Sequence, residues 1–207
     1  HTQFDYLIKS TSHKGHAIDI AKNAIANNID IVCAVGGDGS VHEIGTTLIG
    51  SKTKLAIIPI GSGNGLARHM NIPLTIPEAI LCINSTNEIQ MDTVLVNDNP
   101  FLGFGGYGID ALIAKRFDED KKRGFWSYVK LISREFWKYN PINISVDLNG
   151  QIKSMPVVLC TIANSSEFGN GFVVSPTSDV TDGKIELCLL KLCSDNLAEL
   201  KKKSFAD

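Results

Sequence analysis

The sequence predicts an α/β domain followed by an antiparallel β domain. Up to about residue 90, helical periodicity alternates with short apolar runs, and two of these runs end at glycine-rich segments. Beyond that point, short strand-like runs are separated by turn signals, of which Asn149-Gly150 is the strongest. We therefore expect residues 1–90 to form an α/β domain and residues 91–207 to form a β domain.

The first half alternates helix and strand signals. Apolar residues recur at helical spacing in three stretches, and β-branched apolar runs between them are typical of buried strands. The expected elements are a helix over Gly15–Asn27, a strand over Ile29–Val35, a helix around Val41–Leu48, a strand over Leu55–Ile60 and a helix over Leu66–Met70. This order predicts a parallel sheet covered by helices.

The second half consists mainly of strand signals. The expected strands are Met91–Val96, Phe101–Phe104, Ile142–Leu148, Gln151–Val157, Val158–Ala163, Phe172–Ser175 and Ile185–Leu190. One helix, around Phe125–Phe136, interrupts them. The turn residues between the strands favour antiparallel pairing, so we expect a β domain of connected hairpins.

The composition is that of an ordinary globular protein. Of 207 residues, 43% are hydrophobic and 20% are charged, and the formal net charge is −2. No nucleic-acid partner is expected, because the chain has no excess of basic residues. No apolar run approaches the roughly 20 residues of a membrane-spanning helix, and no leader pattern is present, so we expect a soluble chain. The five cysteines lack C-x-x-C spacing and are expected to be core residues in a reducing compartment.

Two glycine-rich loops carry the main chemical signal. The first glycine loop, Gly36–Ser40, and the second glycine loop, Gly61–Gly65, each follow a predicted strand and precede a predicted helix. Ligands of parallel sheets bind at the carboxyl ends of the strands, where backbone N–H groups and helix N-termini attract phosphate. Glycine, Asp and Ser are also ordinary turn and capping residues, but the repeated arrangement favours a polyphosphate cradle.

Side chains within the loops could add to the cradle. Ser40 and Ser62 offer hydroxyl donors, and Asp38 could hold magnesium or accept a proton from an attacking alcohol. Neither the P-loop pattern nor a dinucleotide-binding G-x-G-x-x-G in a βαβ unit is present. His42 and His69 are expected on helix surfaces, since no spacing supports a metal site.

Four segments, in order, resemble the diacylglycerol kinase catalytic fold that is shared with sphingosine kinases. Residues 36–43 resemble its GGDGT-x-x-E signature, and residues 59–64 resemble P-x-G-[ST]-x-N. Residues 106–111 are similar to G-x-G-x-D-A, and residues 175–187 are similar to the P-x-A-x-x-x-D-G-x-L-x-V strand entry. The resemblance to this family spans about residues 12–190 and includes all four segments.

The resemblance implies a fold and a cofactor site. It implies an N-terminal domain like that of phosphofructokinase and NAD kinase, a C-terminal β-sandwich, and ATP bound with Mg²⁺. Asp38 corresponds to the acidic residue that handles the substrate hydroxyl or magnesium. The residues implied to contact the nucleotide are Ser12, Gly15, His16, Gly36, Gly37, Gly39, Ser40, Glu43, Gly61, Ser62, Gly63 and Asn64.

The resemblance also implies contacts outside the phosphate loops. Asp182, with backbone oxygens near Asp179 and Lys184, corresponds to a structural magnesium site. Asp110 and Arg68 are candidates for contact with the substrate, although Arg68, which could point to a phosphate, could equally be solvated. Ser178 stands where the family has alanine.

The implied activity is transfer of the ATP γ-phosphate to a lipid alcohol such as diacylglycerol. A sphingoid-base kinase is the alternative enzyme, and a non-catalytic nucleotide-binding module is the alternative from another class. The family's first strand and its C-terminal D-G-E motif are not found here, which predicts that the chain lacks both ends of the family fold. The implied location is cytoplasmic, with transient contact with a membrane surface. The oligomeric state is left open, with a homodimer as one candidate.

Overall fold

The structure, a computed structural model, describes residues 5–85, 87–108 and 139–191. Their contacts divide them into two compact units. Of the described residues, the first unit contains those up to 104 together with 163–186, and the second contains 105–108, 139–162 and 187–191. The predicted division near residue 90 stays a prediction. What matters for the site is that residues 163–186 pack with the N-terminal part of the chain.

The N-terminal part is an α/β arrangement. Its elements are α1 (His16–Ala26), β1 (Ile31–Gly36), α2 (Asp38–Leu48), β2 (Lys54–Pro59), α3 (Gly65–His69) and α4 (Ile76–Ile83). β1 and β2 pair in parallel from Ile31 opposite Lys54 to Gly36 opposite Pro59. Because the register is even, both strands end at the same edge of the sheet, and the two glycine loops start there.

The predicted helices and strands of this part are confirmed to within about three residues at each end. One helix, α4, was not predicted. Thr75 precedes it, and its first turn contains Pro77. Proline breaks a helix interior but is tolerated in the first turn, where its missing N–H has no intrahelical partner. Pro73 therefore ends the helical pattern predicted for α3, but it does not prevent a new helix from beginning at Ile76.

One apolar cluster holds this part together. Ala34 of β1, Ile57 of β2 and Val41 of α2 are buried in it with Leu66 and Leu102. The contributions come from both strands, from α2 and from α3, so the cluster fixes the strands and the helices that carry the loops. Burial of such side chains is worth about 1.5–3 kcal/mol each.

The remaining strands are mostly antiparallel pairs. They are β3 (Val94–Val96), β4 (Asn99–Phe101), β5 (Phe104–Gly108), β6 (Ile142–Leu148), β7 (Gln151–Val157), β8 (Leu159–Ala163) and β9 (Glu186–Leu190). β6 and β7 form the predicted hairpin over the predicted residues, with Asn149 and Gly150 at positive φ in its turn. β3 and β4 form a second antiparallel hairpin, and β5, β8 and β9 form a three-stranded sheet.

Two strand predictions were wrong. The strand predicted over Phe101–Phe104 is the end of β4 and the start of β5, separated by Leu102 and Gly103. The strand predicted over Phe172–Ser175 is a loop with one isolated bridge, Glu167 to Val173. That loop bonds to itself, since the N–H groups of Val174 and Ser175 both donate to the carbonyl of Ser166. The helix predicted around Phe125–Phe136 lies outside the described residues.

A search of the described residues for a helix long and apolar enough to cross a membrane gives none.

Candidate phosphate-binding site

The two glycine loops touch each other at the carboxyl edge of the parallel strands. The N–H of Ile60 donates to the carbonyl of Gly36 at 3.0 Å, which extends the strand pairing into the loops. A Cβ on Gly61 would overlap the Cα of Gly37. Real side chains do not tolerate such an approach, so glycine at position 61 is required by the contact between the loops.

Asp38 joins the first loop to the second. Its Oδ2 accepts the N–H of Asn64 at 2.8 Å, and its Oδ1 accepts the N–H of Gly65 at 2.7 Å. Both N–H groups lie at the start of α3, where a helix leaves donors without intrahelical partners. A Cβ on Gly63 would lie 2.7 Å from Oδ2 of Asp38. The predicted catalytic carboxylate therefore has a structural task, and because Asp38 is exposed, its remaining lone pairs face solvent.

Asn64 shapes the second loop from within. It has φ +56 and is buried. Its Oδ1 accepts the N–H of Gly61 at 3.0 Å, and its Nδ2 donates to the carbonyl of Gly61 at 2.8 Å. The side chain was predicted to line the phosphates, but its described hydrogen bonds go to its own loop. Asn64 thus holds the turn that brings Gly61 against Gly37.

The N-terminus of α2 presents donors at this edge. Gly37 precedes the helix and provides no side-chain cap. A Cβ on Gly39 would have no atom within 4 Å among the described residues, so the first turn of α2 borders open space. Uncapped N–H groups and the helix dipole attract anions.

The other predicted side chains of the loops differ in position. Ser40 lies over the first loop, since a Cβ on Gly36 would be 2.5 Å from its Oγ. Ser62 is exposed. Glu43 is half-buried in α2, where its carbonyl accepts the hydroxyl of Thr47 at 2.7 Å. Ser40 and Ser62 thus belong to the loops themselves, whereas Glu43 lies one helical turn further into α2.

A third segment, Ser166–Gly169, packs against the second loop and was not predicted. A Cβ on Gly65 would lie 2.7 Å from the carbonyl oxygen of Glu167. Gly169 approaches Gly63 equally closely and forms an isolated bridge with Asn64. Gly169 has φ +121, which only glycine adopts readily. The glycines at 169 and 171 were the available sequence signal, but they lie about 100 residues from the loop that they meet.

His69 fastens this third segment to α3. Its Nδ1 accepts the backbone N–H of Ser166 at 3.1 Å and lies 2.8 Å from the Ser166 hydroxyl. Burial lowers the pKa of His69, and the carboxylates of Asp179 and Glu167 act in the opposite direction. The prediction of a helix-surface histidine was therefore wrong, because α3 is covered on this side by residues distant in sequence.

Arg68 also supports the second loop. Its Nε donates to the carbonyl of Gly63 at 3.0 Å. The side chain was predicted either to face a phosphate or to be solvated, and this bond instead holds the backbone of the loop. The second loop is thus bound at different groups: Arg68 donates to a carbonyl of the loop, whereas Asp38 accepts from two of its N–H groups.

Ser12, Gly15 and His16 form a local turn at the start of α1. The N–H of Ser12 donates to Nδ1 of His16 at 3.1 Å, and Gly15 has φ +85. Gly15 provides no side-chain cap for α1. The described hydrogen bonds of Ser12 and His16 are internal to this turn, and their contact with a nucleotide stays a prediction.

The turn that contains Asp179, Asp182 and Lys184 is held by its own carboxylates. Oδ1 of Asp179 accepts the N–H and the hydroxyl of Thr181, and these bonds are the main reason that its pKa is lowered. Oδ1 of Asp182 accepts the N–H of Lys184 at 2.9 Å. No group of three metal-binding side chains occurs among the described residues. A magnesium ion at this turn would depend on backbone oxygens, and it stays a prediction.

The G-x-G-x-D-A segment is described only in part. A Cβ on Gly106 would lie 2.5 Å from the carbonyl oxygen of Cys160, and one on Gly108 would lie 2.5 Å from that of Val158. These glycines therefore allow β5 to approach β8 closely. Asp110, predicted to contact the substrate, lies outside the described residues.

Glycine loops at the ends of parallel strands, beside a helix N-terminus, are the arrangement of phosphate-binding α/β proteins. The family model of the diacylglycerol kinase catalytic domain matches residues 1–96. The model of the YegS C-terminal NAD kinase beta sandwich-like domain matches residues 103–200. Together the two models cover nearly the whole chain, so the predicted resemblance to the diacylglycerol kinase catalytic domain and the predicted fold class are confirmed.

Similar proteins come from several bacteria. The chain is 27% identical over 201 residues to a YegS-like lipid kinase of Chromohalobacter salexigens, covering 94% of this chain and 64% of that protein. It is 26% identical over 198 residues to a diacylglycerol kinase of Bacillus subtilis, covering 92% and 64% respectively. A crystal structure of a diacylglycerol kinase from Bacillus anthracis matches with a TM-score of 0.70 at 24% identity, over 95% of this chain and 65% of that one. The chain thus spans just under two thirds of these relatives.

Proposed function

We propose that this protein transfers the γ-phosphate of Mg-ATP to the hydroxyl group of diacylglycerol or a similar lipid alcohol. The observation that carries the proposal is the contact between the two glycine loops at Gly37 and Gly61, with Asp38 joining them. Two adjoining loops suit a chain of phosphates better than one loop does. Relatives named as diacylglycerol kinases support diacylglycerol over a sphingoid base.

The backbone of the site supplies the electrostatics. In phosphoryl transfer, catalysis consists mainly of positioning and of neutralising the charge on the phosphoryl oxygens. N–H groups at the start of α2, open at Gly39, would bind these oxygens without reorganising during the reaction. The tight contacts at Gly61 and Gly63 hold the second loop in place for this purpose.

Asp38 is the acidic side chain that joins the two glycine loops. Two of its lone pairs hold the second loop, and the others are open to solvent. It would position the loops in every state, and in the ternary complex it would accept the proton of the lipid hydroxyl or bind the metal. The two hydrogen bonds that already hold this carboxylate against the second loop favour the positioning and metal-binding roles.

Magnesium fits the residues at this edge. Mg²⁺ is usually held by one or two carboxylates together with substrate phosphates, and it keeps several waters. The described residues contain no ready group of three metal-binding side chains, so Asp38 would be the protein ligand and the phosphates would supply the rest. When bound, the ion supplies neutralisation of the phosphate charge.

A lipid kinase acts where its substrate lies, so we place this protein in the cytoplasm with transient contact with the membrane surface. The test is phosphorylation of dispersed lipid alcohols by the full-length protein with Mg-ATP, with product identification by mass. Asp38→Ala is expected to reduce kcat/KM by at least about a hundredfold. Asp30→Ala is the matched control, because Asp30 is an exposed acidic residue at the opposite end of β1.

Three outcomes separate the alternatives. Loss of activity in Asp38→Ala and retention in Asp30→Ala supports the kinase and the position of its site. If a sphingoid base is phosphorylated and diacylglycerol is not, the protein is a sphingoid-base kinase instead of a diacylglycerol kinase. A protein that binds Mg-ATP and phosphorylates no lipid alcohol would contradict the proposal and favour a nucleotide-binding module.

A further inference from the structure

His69 and Ser166 form a pair that links α3 to a segment 97 residues further along the chain. We propose that His69 is a positioning residue of the phosphate site, which fixes Ser166–Gly169 behind the second glycine loop and thereby sets the affinity for Mg-ATP. The inference rests on the proposed function only in that the loop binds phosphate. It concerns this chain's own side chains and does not depend on the lipid substrate.

The geometry defines the role of each atom. An N–H can donate only to an unprotonated ring nitrogen, so Nδ1 of His69 carries a lone pair and accepts from the Ser166 N–H at 3.1 Å. The Ser166 hydroxyl, 2.8 Å from the same nitrogen, then also donates. The charged groups that act on this ring are Asp179 and Glu167. His69 thus serves as the hydrogen-bond acceptor for the partly buried backbone N–H of Ser166. Loss of such an acceptor costs free energy because the N–H has been removed from water.

The residues that follow Ser166 meet the second loop directly. The carbonyl oxygens of Glu167 and Phe168 lie against Gly65, and Gly169 lies against Gly63. The N–H of Asn170 approaches the carbonyl of Gly63 at 3.4 Å, and Gly169 bridges Asn64. These contacts are backbone against backbone, so a shift of Ser166 is transmitted to the loop without side chains that could absorb it.

The second loop is held from three directions. Asp38 binds its N–H groups, Arg68 binds its carbonyl at Gly63, and the segment fixed by His69 lies behind it. His69 is not one of the buried residues of the core cluster, whose members in α3 are Leu66 and Ala67. The effect should therefore fall on nucleotide affinity more than on folding.

The test measures Mg-ATP affinity by calorimetry, together with kcat and the KM values for ATP and for the lipid, for the full-length protein and four variants. His69→Ala removes the acceptor and is expected to weaken Mg-ATP binding about tenfold. His69→Asn places a carboxamide oxygen near the position of Nδ1 and is expected to restore affinity to within about twofold. Ser166→Ala keeps the backbone N–H and is expected to bind normally. His42→Ala is the matched control, since His42 is an exposed histidine on α2.

The outcomes distinguish a positioning role of His69 in nucleotide binding from a role in stability alone. Weaker ATP binding in His69→Ala, with recovery in His69→Asn and an unchanged KM for the lipid, supports the inference. A lower melting temperature in His69→Ala with unchanged Mg-ATP affinity would overturn it, as would equal losses in His69→Asn and His69→Ala. If the wild-type protein binds Mg-ATP but phosphorylates no lipid, the proposed function fails while the inference is still decided by calorimetry. A wild-type protein that does not bind Mg-ATP overturns the inference directly.

Discussion

At the scale of single residues, side chains of the site act mainly on the backbone. Asp38, Asn64, Arg68 and His69 each bond to a backbone N–H or carbonyl of a loop. Their residue types suggest chemistry with ligands, yet their described partners are peptide groups. The carboxylate, amide, guanidinium and imidazole thereby stiffen a segment that is rich in glycine and would otherwise be costly to order.

The buried acceptor role of His69 has a consequence for pH. Its pKa in the folded state lies below the usual histidine value of about 6.5, so the unfolded chain binds the proton more readily. Stability from this residue is therefore complete above about pH 6.5 and is lost as the pH falls from there through the lowered pKa. Urea unfolding between about pH 7.5 and pH 5.5 should show this loss in the wild type.

The variant His69→Asn isolates that contribution, since it keeps an acceptor and does not titrate. The decline in unfolding free energy over this range should be smaller in His69→Asn than in the wild type. His42→Asn, on the exposed face of α2, should retain the wild-type decline. Equal slopes in all three proteins would show that His69 makes no contribution to the pH dependence.

Two cysteines should differ strongly in reactivity. Burial raises the pKa of Cys33 in β1 to about 11, whereas Cys82 in α4 is exposed. At about pH 8 only about one thousandth of Cys33 would be thiolate, the form that reacts. Brief alkylation followed by peptide mapping should label Cys82 first and leave Cys33 almost unlabelled. Comparable labelling of the two in the folded protein would contradict the burial of β1.

At the scale of elements, the site is a contact between turns, and each turn needs glycine for its own reason. Gly61 meets the backbone of Gly37, and Gly65 meets the backbone of Glu167 and Phe168. Gly39, by contrast, borders open space in the first turn of α2. Gly61 and Gly65 therefore pack against protein, whereas Gly39 is expected to face a ligand.

The pair Gly61→Ala and Gly39→Ala tests that distinction. Gly61→Ala should lower the unfolding free energy by about 1–3 kcal/mol, because its Cβ overlaps Gly37 and the loops must separate. Gly39→Ala should leave stability unchanged or raise it slightly, since alanine is the better helix former. If phosphate lies at this turn, Gly39→Ala should nevertheless weaken Mg-ATP binding, measured by calorimetry. Normal binding by Gly39→Ala would place the phosphates elsewhere.

At the scale of the whole molecule, the first compact unit combines two stretches of chain. Residues 163–186 pack with residues up to 104 and supply the segment behind the second loop. The glycine loops of the N-terminal stretch therefore depend for their shape on a stretch from the second half of the sequence. A shortened chain that ends before residue 163 would lose this support.

Nucleotide binding should stabilise this unit as a whole. A ligand that binds only the folded state adds about 2.7 kcal/mol at a hundred times its Kd. Thermal unfolding of the full-length protein should therefore move to higher temperature with Mg-ATP and less with AMP, which lacks the β- and γ-phosphates. An equal shift with both nucleotides would indicate recognition of the adenosine part and contradict a polyphosphate cradle.

The sequence by itself determined the fold class, the strand–loop–helix units and the β6–β7 hairpin. These features rest on local signals: apolar periodicity, glycine after a buried strand, and Asn149-Gly150 in a turn. It also predicts Asp38 and the glycine loops as the candidate site, and this stays a prediction that rests on a resemblance between contiguous residues. These local patterns could be interpreted without the tertiary structure because their physical causes act over a few residues.

Only the tertiary structure decided what the marked residues touch. Asp38 bonds to N–H groups 26 and 27 positions away, and His69 bonds to a residue 97 positions away. The segment Ser166–Gly169, which no sequence pattern predicted to be near the site, supports the second glycine loop. Such pairings depend on how helices and loops pack around one core, and no local pattern encodes which distant peptide group will lie beside a given side chain.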